Sequence, residues 1–180
     1  MWKDRYDTVL WSLLAATAVA LVLVLSGGSG AVSGRDGARS ERALERELAR
    51  QARIDLLEKL YDPVQTLLRS GDLQGALFKL DELARLYPNE AHGRILKGEI
   101  LYRSGALEEA VAAYVEGVRL NGEYVDAKSR LSRRPELQKV LDEGYRVIAG
   151  RARAHPENRS LDASLKKLHY LRSRLAGGCE

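Results

Sequence analysis

A chain of 180 residues supports one domain, or one domain with an appendage, and its 45% apolar and 30% charged residues exclude a globally disordered polymer. The formal charge of +4 is unevenly laid out: residues 125–180 hold thirteen Lys/Arg against seven Asp/Glu, whereas residues 71–124 hold six against nine. The single cysteine, Cys179, excludes an internal disulfide and a thiolate metal cluster, and it stands too near the end for prenylation.

After a short tail, residues 1–7, the chain reads TVLWSLLAATAVALVLVLS from Thr8 to Ser26 without a charge. At 1.5 Å per residue such a run matches a hydrocarbon core of about 30 Å, so residues 8–26 are expected to form a transmembrane helix. Trp2, Tyr6 and Trp11 lie near its start, where amphipathic rings favour the interface. The run exceeds the apolar core of a secretory signal, and SGGSGAVSG after it offers no A-x-A site, which favours an uncleaved signal anchor. Lys3 and Arg5 precede it and Arg35, Arg39 and Arg42 follow it. The expected topology is a single pass through the inner (cytoplasmic) membrane of a bacterial envelope, with the soluble part periplasmic.

Residues 27–39 read as a flexible Gly/Ser linker. Gly28, Gly30 and Gly34 resemble a dinucleotide fingerprint only loosely, since the run before them is too long for a strand. Leu44, Leu48, Ala52, Leu56 and Leu60 then predict one amphipathic helix over 40–61, with Ser40 as its cap and self-association as a possible use. Asp62-Pro63 marks a break or kink after it.

From there a repeat takes over. RSGDLQGAL at Arg69–Leu77 returns as RSGALEEAV at Arg103–Val111, an offset of 34. The same offset pairs Gly71 with Gly105, Ala76 with Ala110, Leu80 with Tyr114, and Pro88 with Gly122, and a further step reaches Pro156. Glycine suits a tight interhelical turn, alanine permits close helix approach, and a larger residue one turn on fills the space beside that contact.

On these residues, together with Gly98, the chain resembles the tetratricopeptide repeat family, whose period is 34 residues. The likeness covers about 70 residues well. Val64, Pro63 and Gly122 depart from the family pattern. The resemblance implies an all-α fold: a transmembrane helix, then a short solenoid of antiparallel helix pairs with two repeats over 62–124 and a degenerate third over 125–158. Leu137, Val140, Leu141, Val147 and Ile148 predict a helix entered through Pro135. Leu161, Leu165, Leu168, Leu171 and Leu175 predict a capping helix over 159–176, begun at Ser160 and stopped by Gly177, with residues 177–180 as a tail.

By the same resemblance, a concave groove for a protein or peptide partner is lined by Tyr61, Gln65, Leu68, Arg69, His92, Ile95, Glu99, Tyr102 and Arg103. Tyr61 and Ile95 stand where the chaperone-carboxylate clamp of some relatives needs polar residues, so that clamp is not expected. The functional expectation is a membrane-anchored scaffold that assembles an envelope complex, without catalysis, cofactor or metal. His92, His155 and His169 fall on separate elements, and Ser164 to Lys167 spells S-x-x-K without its accompanying motifs. Asn158-Arg159-Ser160 is a formal glycosylation sequon. The competing readings are homo-oligomerisation through 40–61 and an electrostatic module for acidic lipid or nucleic acid. For nucleic acid, the cluster Lys128, Arg130, Arg133 and Arg134 lacks interleaved aromatics.

Overall fold

Apolar residues spaced three and four apart wind into helices in the computed structural model, which describes residues 14–19, 21 and 33–177; six α-helices lie within 33–177. They are α1 (Ser33–Ser70), α2 (Leu73–Leu86), α3 (Ala91–Arg103), α4 (Leu107–Leu120), α5 (Arg134–Ala154) and α6 (Arg159–Leu175), with a 3₁₀ turn at Gly122–Tyr124. No strand occurs among the described residues, so the all-α class holds. The chain divides into two compact units, Met1–Gln51 and Ala52–Glu180.

In the first unit, residues 14–19 and 21 are helical, and the rest of the expected span 8–26 lies outside the described residues. No described helix is long and apolar enough to cross a membrane. The expected linker needs correction: residues 33–39 already belong to α1, while 27–32 lie outside the described residues. The helix placed at 40–61 is likewise longer at both ends, and Ser40 lies inside it.

In the second unit α1 continues through Pro63 to Ser70 without the expected break. Leu57, Tyr61, Val64 and Leu68 are all buried at spacings of four and three, so the packed seam runs straight across the proline and outweighs its missing N–H. Asp62, instead of capping a new helix, lies 3.4 Å from Arg69.

The repeat is visible as repeated hydrogen bonding. At the end of α1, Gly71 N–H donates to Leu68 O (3.2 Å) and Asp72 N–H to Leu67 O (3.0 Å), with Gly71 at φ +83°. At the end of α3, Gly105 N–H donates to Tyr102 O (3.1 Å) and Ala106 N–H to Leu101 O (2.9 Å), with Gly105 also at +83°. This is the Schellman pattern, which needs a left-handed residue and hence a glycine. The serines join in, Ser70 Oγ donating to Leu67 O and Ser104 Oγ to Leu101 O. Ala76 and Ala110, one turn into α2 and α4, have no exposed surface.

The opposite turn also recurs, after two periods. Tyr87–Glu90 joins α2 to α3, and His155–Asn158 joins α5 to α6, with Pro88 and Pro156 at equivalent places. Tyr87 (φ −129°, ψ 68°) and His155 (φ −131°, ψ 69°) have the same backbone, and the Glu90 and Asn158 carboxylate and amide oxygens cap the helices that follow. Asn158, not Ser160, caps α6, so the sequon asparagine serves the helix start.

Between these regular turns the third unit was misplaced at 125–158. The chain instead forms an irregular connector from Asn121 to Arg133 and then a third, longer hairpin, α5 with α6. Tyr145 meets His169 (2.9 Å) and Arg134 Nη2 donates to Leu175 O (2.6 Å), an antiparallel pairing. Leu137, Val140, Leu141 and Ile148 are buried as expected, while Val147 is exposed. The expected capping helix is therefore one arm of a hairpin, and its buried leucines pack on α4 as well as α5.

Two hydrophobic clusters fill this unit. Leu57, Tyr61, Val64, Leu68, Ala76, Leu80 and Leu83 gather with Leu96 and Ile100 of α3, while Ala91 and Ile95 of the same helix join α4, α5 and α6. Small residues set the distance between α3 and α4: a Cβ on Gly98 would fall 2.7–2.9 Å from three ring carbons of Tyr114, and one on Gly117 would fall 2.7 Å from Ile95 Cδ1.

Gly98→Ala should therefore lower stability by about 1–3 kcal/mol in urea unfolding, the usual penalty for overpacking. Gly150→Ala in α5, where a Cβ meets nothing within 4 Å, should raise stability by up to about 1 kcal/mol through helix propensity alone.

Candidate functional site

The face expected to hold a partner is built where α1 and α3 run side by side, and its deepest part is aromatic. His92 of α3 sits between Tyr61 of α1 and Tyr124 of the 3₁₀ turn, with ring centroids 5.0 and 6.0 Å away. All three are buried, His92 at 2% exposure. His92 Nδ1 shares a hydrogen bond of 2.9 Å with Tyr124 OH, and its Nε2 has no partner among the described residues. Burial, reinforced by the Arg133 charge, lowers the His92 pKa from 6.5 to about 4. Burial and then Glu90 push the Tyr61 phenol up to about 12, and burial raises Tyr124 as well. At neutral pH the cluster is uncharged.

The connector closes over this cluster. Tyr124, Val125 and Leu131 are buried in the same core as Ile54 of α1 and Ile95 of α3. Arg133 N–H donates to Tyr124 O (2.8 Å) and pins the loop at its neck, while Arg130 lies 3.6 Å from both Asp55 and Glu58 on α1. The basic residues of the connector are thereby dispersed. Arg133 lies 3.6 Å from Glu136, and Arg134 donates to the carbonyls of Val125 and Leu175.

Four of the nine expected groove residues are consequently core. Tyr61, Leu68, His92 and Ile95 are between 1% and 4% exposed and cannot touch a partner while the fold is intact. The other five remain accessible and are already knit together. Arg103 donates to Leu68 O (3.0 Å) and to Glu99 (2.6 Å), joining the ends of α3 and α1. Arg69 reaches Thr66 (3.0 Å) and Asp62, and Gln65 lies half-buried one turn before it. Tyr102 OH donates to Glu143 Oε2 of α5 (2.6 Å), which raises the Tyr102 pKa, and Lys139 stands 5.6 Å from its ring centroid.

The accessible strip is thus polar and led by arginine. Sequence reading missed Tyr124 and Glu143 and took Arg130 only as part of a basic cluster; the three sit 32 to 75 residues from the groups they meet, and no local spacing announces such pairs. Ser164 of the S-x-x-K string is buried against the core of its own hairpin, and His155 and His169 lie on other surfaces. The sequence matches no family model and no curated protein.

The buried imidazole ties stability to pH. His92 stays neutral in the fold down to about pH 4, while the unfolded chain takes up its proton near 6.5. Stability should fall as pH drops from about 6.5 to about 4, by about 3 kcal/mol in total from this group, and not further below. Urea unfolding of wild type and His92→Gln at pH 7 and pH 4.5 reads this directly, the variant showing the shallower decline.

Proposed function

We propose that the chain is a membrane-anchored scaffold of the tetratricopeptide-like kind, which holds a protein partner at an envelope membrane without catalysing a reaction. What supports the repeat reading is the pair of Schellman turns 34 residues apart, each with its serine, its glycine at +83° and its fully buried alanine. The membrane reading rests on the uncharged run from Thr8 to Ser26. Tethering raises the effective concentration of whatever the domain holds.

The contact surface in this reading is the strip of Gln65, Arg69, Glu99, Tyr102 and Arg103. Its two arginines are the side chains with reach: Arg69 is 68% exposed and Arg103 46%. They suit a partner segment bearing carboxylates, which would compete with Asp62 and Glu99 for the same guanidinium groups.

A second reading, self-association, is favoured by Leu44 and Leu48, which are 61% and 56% exposed in the first unit. Sedimentation of the detergent-solubilised full chain and of a Leu44→Glu/Leu48→Glu variant separates the two. A wild-type dimer that the variant dissolves favours self-association, and a monomer in both removes it.

For the scaffold itself, a photo-crosslinking amino acid at Gln65 in the full chain should capture a discrete protein in cells. Adding Arg69→Glu should weaken that capture about tenfold, since one lost charge-assisted contact is worth roughly 1.5 kcal/mol or more. Capture unaffected by the charge reversal removes the strip from the account. A topology reporter fused after Glu180 should be active on the outer side of the cytoplasmic membrane.

A further inference from the structure

The last described helix carries a basic strip along its outer side. Leu161, Ser164, Leu168, Leu171 and Leu175 turn α6 inward, and among its seventeen residues five are Lys or Arg while Asp162 is the only acid. On its outer side, one or two turns apart, lie Arg159, Lys166, Lys167 and the half-buried Tyr170, whereas Arg174 turns to the connector, its guanidinium against Gly122. Arg119 of α4 adds a fifth group to the strip, its guanidinium 4.8 Å from the Tyr170 ring centroid. Lys166 is paired with Asp162 at 2.8 Å; Arg119, Arg159 and Lys167 have no carboxylate within ion-pair distance among the described residues.

From this we infer that the outer face of α6 docks on an anionic bilayer surface, through lipid phosphates. The inference rests on the anchor reading of residues 8–26, which holds the domain beside a membrane. From Arg159 to Lys167 the helix spans about 12 Å, so its outward cations, with Arg119 beside them, form a strip that a flat sheet of phosphates meets all at once. A nucleic acid fits less well, because the one ring on the face, Tyr170, is already covered by Arg119 and offers no platform for base stacking. Asp162 is the only acid of α6, which leaves little on that helix to repel a negative surface.

The test uses the full chain in lipid nanodiscs, either neutral (phosphatidylcholine) or with added anionic phosphatidylglycerol, and amine-reactive labelling read by mass spectrometry. Lys166 and Lys167 should label about fivefold more slowly on the anionic discs, relative to Lys79 of α2, and high salt should erase the difference. Arg119→Gln with Arg159→Gln, both exposed, should remove most of that protection with the circular dichroism unchanged. Equal labelling on the two discs overturns the inference, as does protection by an added oligonucleotide and not by anionic lipid. If the chain does not enter discs at all, the anchor reading fails by itself. Vesicles of the same two compositions added from outside then read the face alone, with protection by the anionic vesicles supporting it and none overturning it.

Discussion

Helix α3 can serve both hydrophobic clusters only because Gly98 and Gly117 let it lie close against α4. A methyl group at either position would meet the Tyr114 ring or the Ile95 side chain below 3 Å. At that spacing α3 turns Leu96 and Ile100 toward the first hairpin, and Ala91 and Ile95 toward the last. The remaining contacts inherit this geometry. His92 is carried beneath Tyr124, Tyr102 is presented to Glu143, and Arg103 is brought to the carbonyl of Leu68. Close-packed interiors transmit such constraints because they have little slack.

Where the letters carried local chemistry, they foretold the structure well. Gly71, Gly105 and Gly177 all adopt positive φ, and the Arg-Ser-Gly echo resolves into two turns with the same bonds. The amphipathic patterns of the last two helices marked their buried leucines and valines, apart from Val147, which is exposed, and Leu165, which is only partly buried. Pro63 does not end the helix, because a proline weakens a helix locally, whereas the seam of Leu57, Tyr61, Val64 and Leu68 acts over about three turns. The third unit misled for a related reason: Pro156 does keep its place in the period, but the hairpin around it does not, since Asn121–Arg133 inserts a long connector where Tyr87–Glu90 uses four residues.

The inner face was the least legible part. Its expected members were chosen by their place in a repeat, and that place fixes which way a side chain leaves its own helix but not what lies above it. His92 and Ile95 do point inward; the connector then arrives from Tyr124 and Leu131 and covers them. A polar residue can be buried in this way when a neighbour answers one of its nitrogens and its own ionisation is given up, as His92 does beside Tyr124. What stays in contact with water is the rim at the turn end of α1 and α3, where arginines are held by backbone carbonyls and carboxylates.

The irregular third hairpin also bears on how such a chain can change over time. Helical repeat arrays lengthen when a unit is copied and the copy stacks on a surface like the one its parent used. Here α5 and α6 are longer than the helices before them and follow an aperiodic connector. A copied segment of 34 residues placed after Leu175 would meet neither the small-residue contact of α3 with α4 nor the turn that precedes it. The surface that α6 offers is therefore unlike the one through which α3 and α4 meet, and the 34-residue spacing of the first two hairpins does not run through the third.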